Sequence, residues 1–208
     1  MTILDIMSAR RSIRKFKPAP LDKETMEKLT LAATLAPSGG NRQGWRFIFT
    51  SDRAMITAAA QAVERERRKL VEIMPEEWAV TFEEYSALFS SFATAPNLCV
   101  PLMRPISLAD RLADRGVLGE DIENLAEVER TTALISVSLA VQNMLLAAEE
   151  MGLGACVMTG PLVARRRLEE IFGVPHGWSL AMLVALGHPD EKPESPGRKP
   201  AGANIIWR

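Results

Sequence analysis

The densest chemistry in the 208-residue chain lies near its start, where Arg10, Arg11, Ser12, Ile13, Arg14, Lys15 and Phe16 put four cations and a hydroxyl into seven residues. Guanidinium groups offer a planar fork of donors that matches phosphate, so the cluster suits an anion; the alternative is a solvated run of charge. Arg10 and Arg14, four apart, point the same way if the turn is helical. A second group, Ala36 to Trp45 (APSGGNRQGW), is dense in small residues and amides. Glycine permits close approach of a flat ligand, and Ser38, Asn41 and Gln43, after Pro37, supply donors and acceptors for a heteroaromatic edge; a plain polar turn has the same composition. Third, Met158, Thr159, Gly160 and Pro161 stand between an apolar run and a helical one, leaving backbone N–H groups free to face a ligand. Fourth is Gly197, Arg198, Lys199, Pro200, which alone is only a basic tail.

Other common catalytic signatures are missing. GLGACV at Gly152 to Val157 looks like a dinucleotide fingerprint, but a helical stretch precedes it and an extended one follows, the reverse of the required order. There is no GxxxxGK[ST], HExxH, paired CxxC or GxSxG, and His176 and His188 are isolated beside prolines. No metal site is expected, and no side-chain nucleophile. An enzyme with so little acid–base machinery leaves the hard chemistry to a bound cofactor.

The elements that must position these residues can be read from patterning. Helices are expected over Ile3 to Ser8, from the N-cap Asp22 to Ala36, and from the cap Ser51 to about Ile73, whose Arg65, Arg67, Arg68 and Lys69 read as a solvated face. A central helix, Ala133 to Ala148, is apolar almost all round and so buried on most sides, and its Gln142 and Asn143 need polar partners. Gly152 suits its C-cap, and Pro161 the first position of a helix ending at Gly173. Strands are expected at Arg46 to Thr50, Asn97 to Leu102, Ala155 to Thr159 and Ser179 to Leu186, with Ile205 to Trp207 as an edge strand after an extended arm, Pro189 to Pro200. Few strands among many helices make an α+β layered fold.

Size and composition agree with one domain over residues 1–208: the AVILMFWYC set is 47% and charged residues 25%. Lys plus Arg number 25 against 26 Asp plus Glu, so no overall field draws the protein to nucleic acid or anionic lipid. The apolar core of the central helix is short of the roughly 20 residues a membrane span needs. Two cysteines, Cys99 and Cys156, in apolar surroundings, and a start that does not read as a signal peptide, make a cytoplasmic location the expectation.

Taken together, RRSIRKF, APSGGNRQGW, QNMLLAAEEMGLGACVMTGP and GRKP resemble the nitroreductase family of FMN-dependent oxidoreductases, over residues 5–50 and 130–200. The resemblance implies a central mixed, mostly antiparallel sheet between helices, and a homodimer with a C-terminal arm around the partner and two flavin sites across the interface. It assigns Arg10, Arg11, Ser12 and Arg14 to FMN, with Pro37, Ser38, Asn41 and Gln43 reaching the flavin of the other subunit. Thr159 and Gly160 fall at the strand end near flavin N5, and Arg198, with Lys199, at the phosphate. It also implies ping-pong transfer of hydride from NADH or NADPH to a small, electron-poor acceptor such as a nitroaromatic or quinone. A same-fold flavin dehydrogenase, a reductive dehalogenase and a flavin-binding protein with little turnover are the alternatives. Departures are Gly44 where proline is common, Val157 where tryptophan is frequent, and no acidic residue around Pro96 to Pro105. Residues 75–130 lie outside these motifs and form a candidate lid; Phe82, Tyr85 and Phe89, spaced by three or four, are candidates for a substrate pocket or for ordinary core packing.

Overall fold

The computed structural model describes residues 2–208. In chain order the elements are α1 (Ile3–Ala9), α2 (Lys23–Thr34), β1 (Trp45–Thr50), α3 (Arg53–Ile73), α4 (Glu76–Ser86), β2 (Asn97–Met103), α5 (Leu108–Ala113), α6 (Glu120–Glu150), β3 (Gly154–Met158), α7 (Arg165–Ile171), β4 (Ser179–Leu180) and β5 (Leu183–Gly187). The sheet runs β1-β2-β5-β3, with β4 also on β2, and every ladder is antiparallel. Among the described residues, parallel pairing is confined to a bridge between Ser12 and Ala155. The fold is α+β, as the patterning and the resemblance imply.

Strand alternation feeds two cores. Cys99, Met103, Ala155, Val184 and Leu186 face α2 and α6, whereas Leu98, Val100, Leu102, Cys156, Met158, Leu183 and Ala185 face α3, α7 and the 3₁₀ turns of residues 87–94. The single strand expected over Ser179 to Leu186 is broken at Ala181 and Met182, and Pro101 supplies the reason. Its carbonyl accepts from Ala181 N at 2.9 Å, and the N–H that would answer from the same side of β2 does not exist in proline.

The expected helices form, with four corrections. The cap of α3 is Asp52, not Ser51: Asp52 Oδ1 accepts from the N–H groups of Ala54 and Met55. Arg67 is not solvated, because α4 folds over it; it pairs with Glu64 at 2.8 Å and donates to the buried Ser86 Oγ at 3.4 Å. The central helix is far longer than its apolar stretch, 31 residues. Long and apolar enough to cross a membrane, it is instead the core helix, packed on α2, β2 and β3, and one face carries exposed Leu134, Ile135 and Leu139 rather than being buried all round. Its end is the expected Gly152, at φ +69°, where Leu153 N reaches Ala148 O and Gly152 N reaches Glu149 O. Residues Ile205–Trp207 do not pair as a strand; Ile206 and Trp207 are exposed beyond a 3₁₀ turn at Ala201–Asn204.

Residues 75–130 supply α4, the 87–94 turns, β2, α5 and the first turns of α6. Here α5 is held to α6 by the buried Glu129, whose carboxylate accepts from Leu108 N at 3.0 Å and Ala109 N at 3.3 Å.

Candidate functional site

The arginine cluster is extended, not helical. Its backbone lies along the open edge of the sheet, where Ile13 N donates to Ala155 O at 3.0 Å beside the Ser12 bridge. In extended chain, alternate residues share a side, so Arg10, Ser12 and Arg14 are brought to one face by a period of two. The intervening residues turn inward. Ile13 is buried against Gly154, where an added Cβ would come within 2.8 Å of Ile13 Cγ2. Arg11 is the C-terminal lid of α1: its Nη1 donates to the carbonyls of Ser8, Ala9 and Arg10 at 2.7–3.0 Å. Its Nε is buried and without a protein partner.

Two open lobes meet at Arg10 and Ser12, which line both. The first, about 380 Å³, is a trough with Val141 and Leu145 of α6, Val157 of β3 and Met182 on its apolar walls, and Ser138, Gln142 and Thr159 on its polar edges. The second, about 300 Å³, is bounded by Arg10, Arg11, Ser12 and Arg14 and closed by the C-terminal arm through Pro193, Glu194, Pro196 and Arg198. An apolar trough opening into a basic lobe suits a flat ring carrying an anionic tail.

Other expected residues lie elsewhere. Lys199 lines neither lobe, while Arg198 does. Pro37, Ser38, Asn41 and Gln43 form a tight loop outside the cleft of their own chain: Ser38 Oγ accepts from Gln43 N at 2.9 Å, and Asn41 and Gln43 have φ of 52° and 50°. Gly160 follows the trough's Thr159, and a Cβ there would overlap the Phe89 ring, so this glycine is required by an aromatic side chain. Phe89 is 8% exposed and Tyr85 69%, with their rings edge-on at 5.3 Å and Phe82 6.1 Å from Phe89. Phe89 is thus a core side chain that anchors the cluster, and Tyr85 its open end.

In the arm, sequence reasoning found Arg198 through the family resemblance and missed Pro193, Glu194 and Pro196, because prolines and charges in a tail look like any soluble linker. Gln142 was signalled by being polar in an apolar helix; Ser138, Val141, Leu145 and Met182 gave no separate signal. Neither cysteine is a nucleophile: burial pushes the Cys99 thiol far up, and pushes Cys156 up against the opposing pull of Arg14 and Arg10.

The family model described as "Nitroreductase family" matches residues 7–188. The chain belongs to the nitroreductase family. It is 28% identical over 195 residues to the 5,6-dimethylbenzimidazole synthase of Rhodospirillum rubrum, covering 88% of this chain and 80% of that enzyme. To the NADPH-flavin oxidoreductase of Vibrio harveyi it is 26% identical over 200 residues, 95% of this chain and 70% of that one. The crystal structure of a BluB-like flavoprotein from Clostridium difficile 630 superposes with a TM-score of 0.85 at 25% identity, over 100% of this chain and 99% of that chain.

Proposed function

We propose that this nitroreductase-family chain is an FMN-dependent oxidoreductase that transfers hydride from NADH or NADPH to an electron-poor organic acceptor, a nitroaromatic or quinone, in alternating half-reactions. The observation that carries the reading is the continuity of the apolar trough with a lobe of converging guanidinium groups. The donor set fits FMN: Arg10, Ser12, Arg14 and Arg198 would hold the phosphate, Arg11 adds a free buried Nε, and Val141, Leu145, Val157 and Met182 would flank the ring. When bound, FMN supplies the hydride-accepting and hydride-donating chemistry. The chain supplies binding, orientation and electrostatics. Arg10, the cation shared by both lobes, is placed to stabilise negative charge gained by the ring side of the site. Thr159 closes the trough at the strand end, and Gly160 after it lies against the Phe89 ring.

The cleft is completed by a second copy. Pro37, Ser38, Asn41 and Gln43 serve the partner's site, and the exposed apolar face of α6 is the surface that a homodimer covers. Tyr85, with Phe82 behind it, forms the wall against which a flat acceptor stacks. Steady-state assays of the FMN-loaded protein test the cycle. Varying NADH or NADPH against a quinone should give parallel double-reciprocal lines, and intersecting lines would contradict alternating half-reactions.

A second reading has one observation in its favour: the likeness to 5,6-dimethylbenzimidazole synthase covers more of that enzyme, 80%, than the likeness to the oxidoreductase covers of its own, 70%. Chromatography of aerobic mixtures of protein, FMN and NADPH decides it. Appearance of 5,6-dimethylbenzimidazole supports the synthase, and its absence alongside quinone reduction supports the oxidoreductase.

A further inference from the structure

The C-terminal arm is tied at its root to the segment that bears the arginines. Lys17 N donates to His188 O and Asp190 N to Lys15 O, both at 2.9 Å, and Phe16 and Pro189 form an antiparallel bridge. One residue further, a side chain takes over from the backbone. Glu191 Oε1 accepts from Arg14 N at 2.6 Å and from Lys15 N at 3.1 Å. Beyond Glu191 the arm crosses the basic lobe and brings Arg198 to face Arg10 and Arg14.

We propose that Glu191 is a positioning residue for the phosphate half of the cleft, clamping the backbone of Arg14 and Lys15 to the arm so that Arg14 and Arg198 face one anion. This rests on the reading of that lobe as the FMN phosphate site. Among the described residues Glu191 makes no ion pair within 4.0 Å. Its carboxylate is therefore engaged by amides, and the guanidinium groups of Arg14 and Arg198 are left with only local backbone bonds, to Ser12 O at 3.5 Å and Gly197 O at 2.7 Å, and no carboxylate partner among the described residues. A glutamate bridged to Arg14 would occupy the very donors the phosphate needs. Pro193 and Pro196 limit the backbone freedom of the arm, so the direction set at Glu191 is carried through to Arg198. Because one oxygen takes both bonds, the geometry requires an acceptor at that reach.

Two conservative variants separate reach from charge. Glu191→Gln keeps an acceptor oxygen at the same distance and loses the charge, whereas Glu191→Asp keeps the charge one methylene short. Apoprotein of the parent and of each variant is titrated with FMN and with riboflavin, which shares the ring and lacks the phosphate, reading flavin fluorescence. For Glu191→Asp the FMN Kd should rise about tenfold or more while that for riboflavin changes by less than about threefold; Glu191→Gln should hold both within about threefold of the parent. The proposal is overturned if the aspartate variant binds FMN as the parent does, if it weakens both flavins equally, or if the glutamine variant loses as much FMN affinity as the aspartate. A parent that binds riboflavin as tightly as FMN would instead overturn the phosphate reading of the lobe itself.

Discussion

Arg10, Arg11 and Arg14 belong to one string in the sequence but do different work. A period of two sends Arg10 and Arg14 into the cleft and Arg11 back onto the end of α1. Arg10→Ala and Arg14→Ala should each weaken FMN binding by about 1.5–3 kcal/mol, the worth of a charge-assisted hydrogen bond, and release flavin on dilution. Arg11→Ala should lower the melting temperature more than it lowers FMN affinity. Equilibrium titration with parallel thermal melts checks all three; equal flavin loss in the three variants would contradict the division. At Gly160 the constraint is steric. Gly160→Ala should cost about 1–3 kcal/mol through overpacking, and Phe89→Leu in the same chain should recover part of that cost, because the added Cβ meets the Phe89 ring. The arginines were legible in the sequence as candidate anion ligands, whereas their directions were not, since direction depends on whether the local chain is extended or helical.

Among the elements, α4 has an electrostatic root on α3 beside the apolar packing of Phe82. Arg67 on α3 binds Glu64 and donates to Ser86 at the end of α4. Hydrogen bonds from Arg67, with further support from Arg68, hold the Glu64 carboxyl at about 2, below its ordinary 4.5, against the opposing effect of burial. A folded value below the unfolded one means that the stabilisation is present above about 4.5 and is lost as pH falls from there toward 2. Glu64→Gln should therefore lower the melting temperature near neutral pH and flatten its fall across that acid window. An unchanged acid limb would show that the pair does not hold α4. The same root bears on the proposed acceptor wall of Tyr85 and Phe82. Tyr85→Ala should change kcat/KM for a quinone and leave reduction by NAD(P)H at the parent rate, whereas Phe89→Ala should act chiefly on stability. Helices announced themselves through caps and periodicity at Asp22 and Gly152, whereas Pro161 opens a 3₁₀ turn over Gly160–Ala164 and the α-helix expected from it begins only at Arg165. The first turns of α6 and the pairing of α3 with α4 did not announce themselves, because residues 75–130 mix prolines with short apolar pieces and their structure is decided by contacts such as those of Glu129 and Arg67.

For the whole molecule, a cleft in one chain and a loop pointed away from it define the proposed dimer. The exposed Leu134, Ile135 and Leu139 lie along the helix that floors the trough, so assembly and cofactor binding are expected to be coupled. Light scattering should give about twice the 22.9 kDa chain mass at all workable concentrations, as an obligate interface of roughly 2,000 Å² or more requires. Truncation after Gly187 should lower flavin occupancy and loosen the dimer together. Layer architecture followed from composition and patterning, and the position of the arm's end did not: Ile205 to Trp207 have strand-like residues, yet among the described residues they pair with no strand and follow a 3₁₀ turn with Ile206 and Trp207 exposed.

The most direct test is anaerobic rapid mixing of the FMN-loaded protein, first with NADH or NADPH and then with a nitroaromatic or quinone. The account predicts that the flavin absorbance bleaches at least as fast as steady-state turnover and returns when the acceptor is added, without nicotinamide in the second mix. Flavin that stays oxidised with both nicotinamides, or turnover faster than the bleaching, would contradict it.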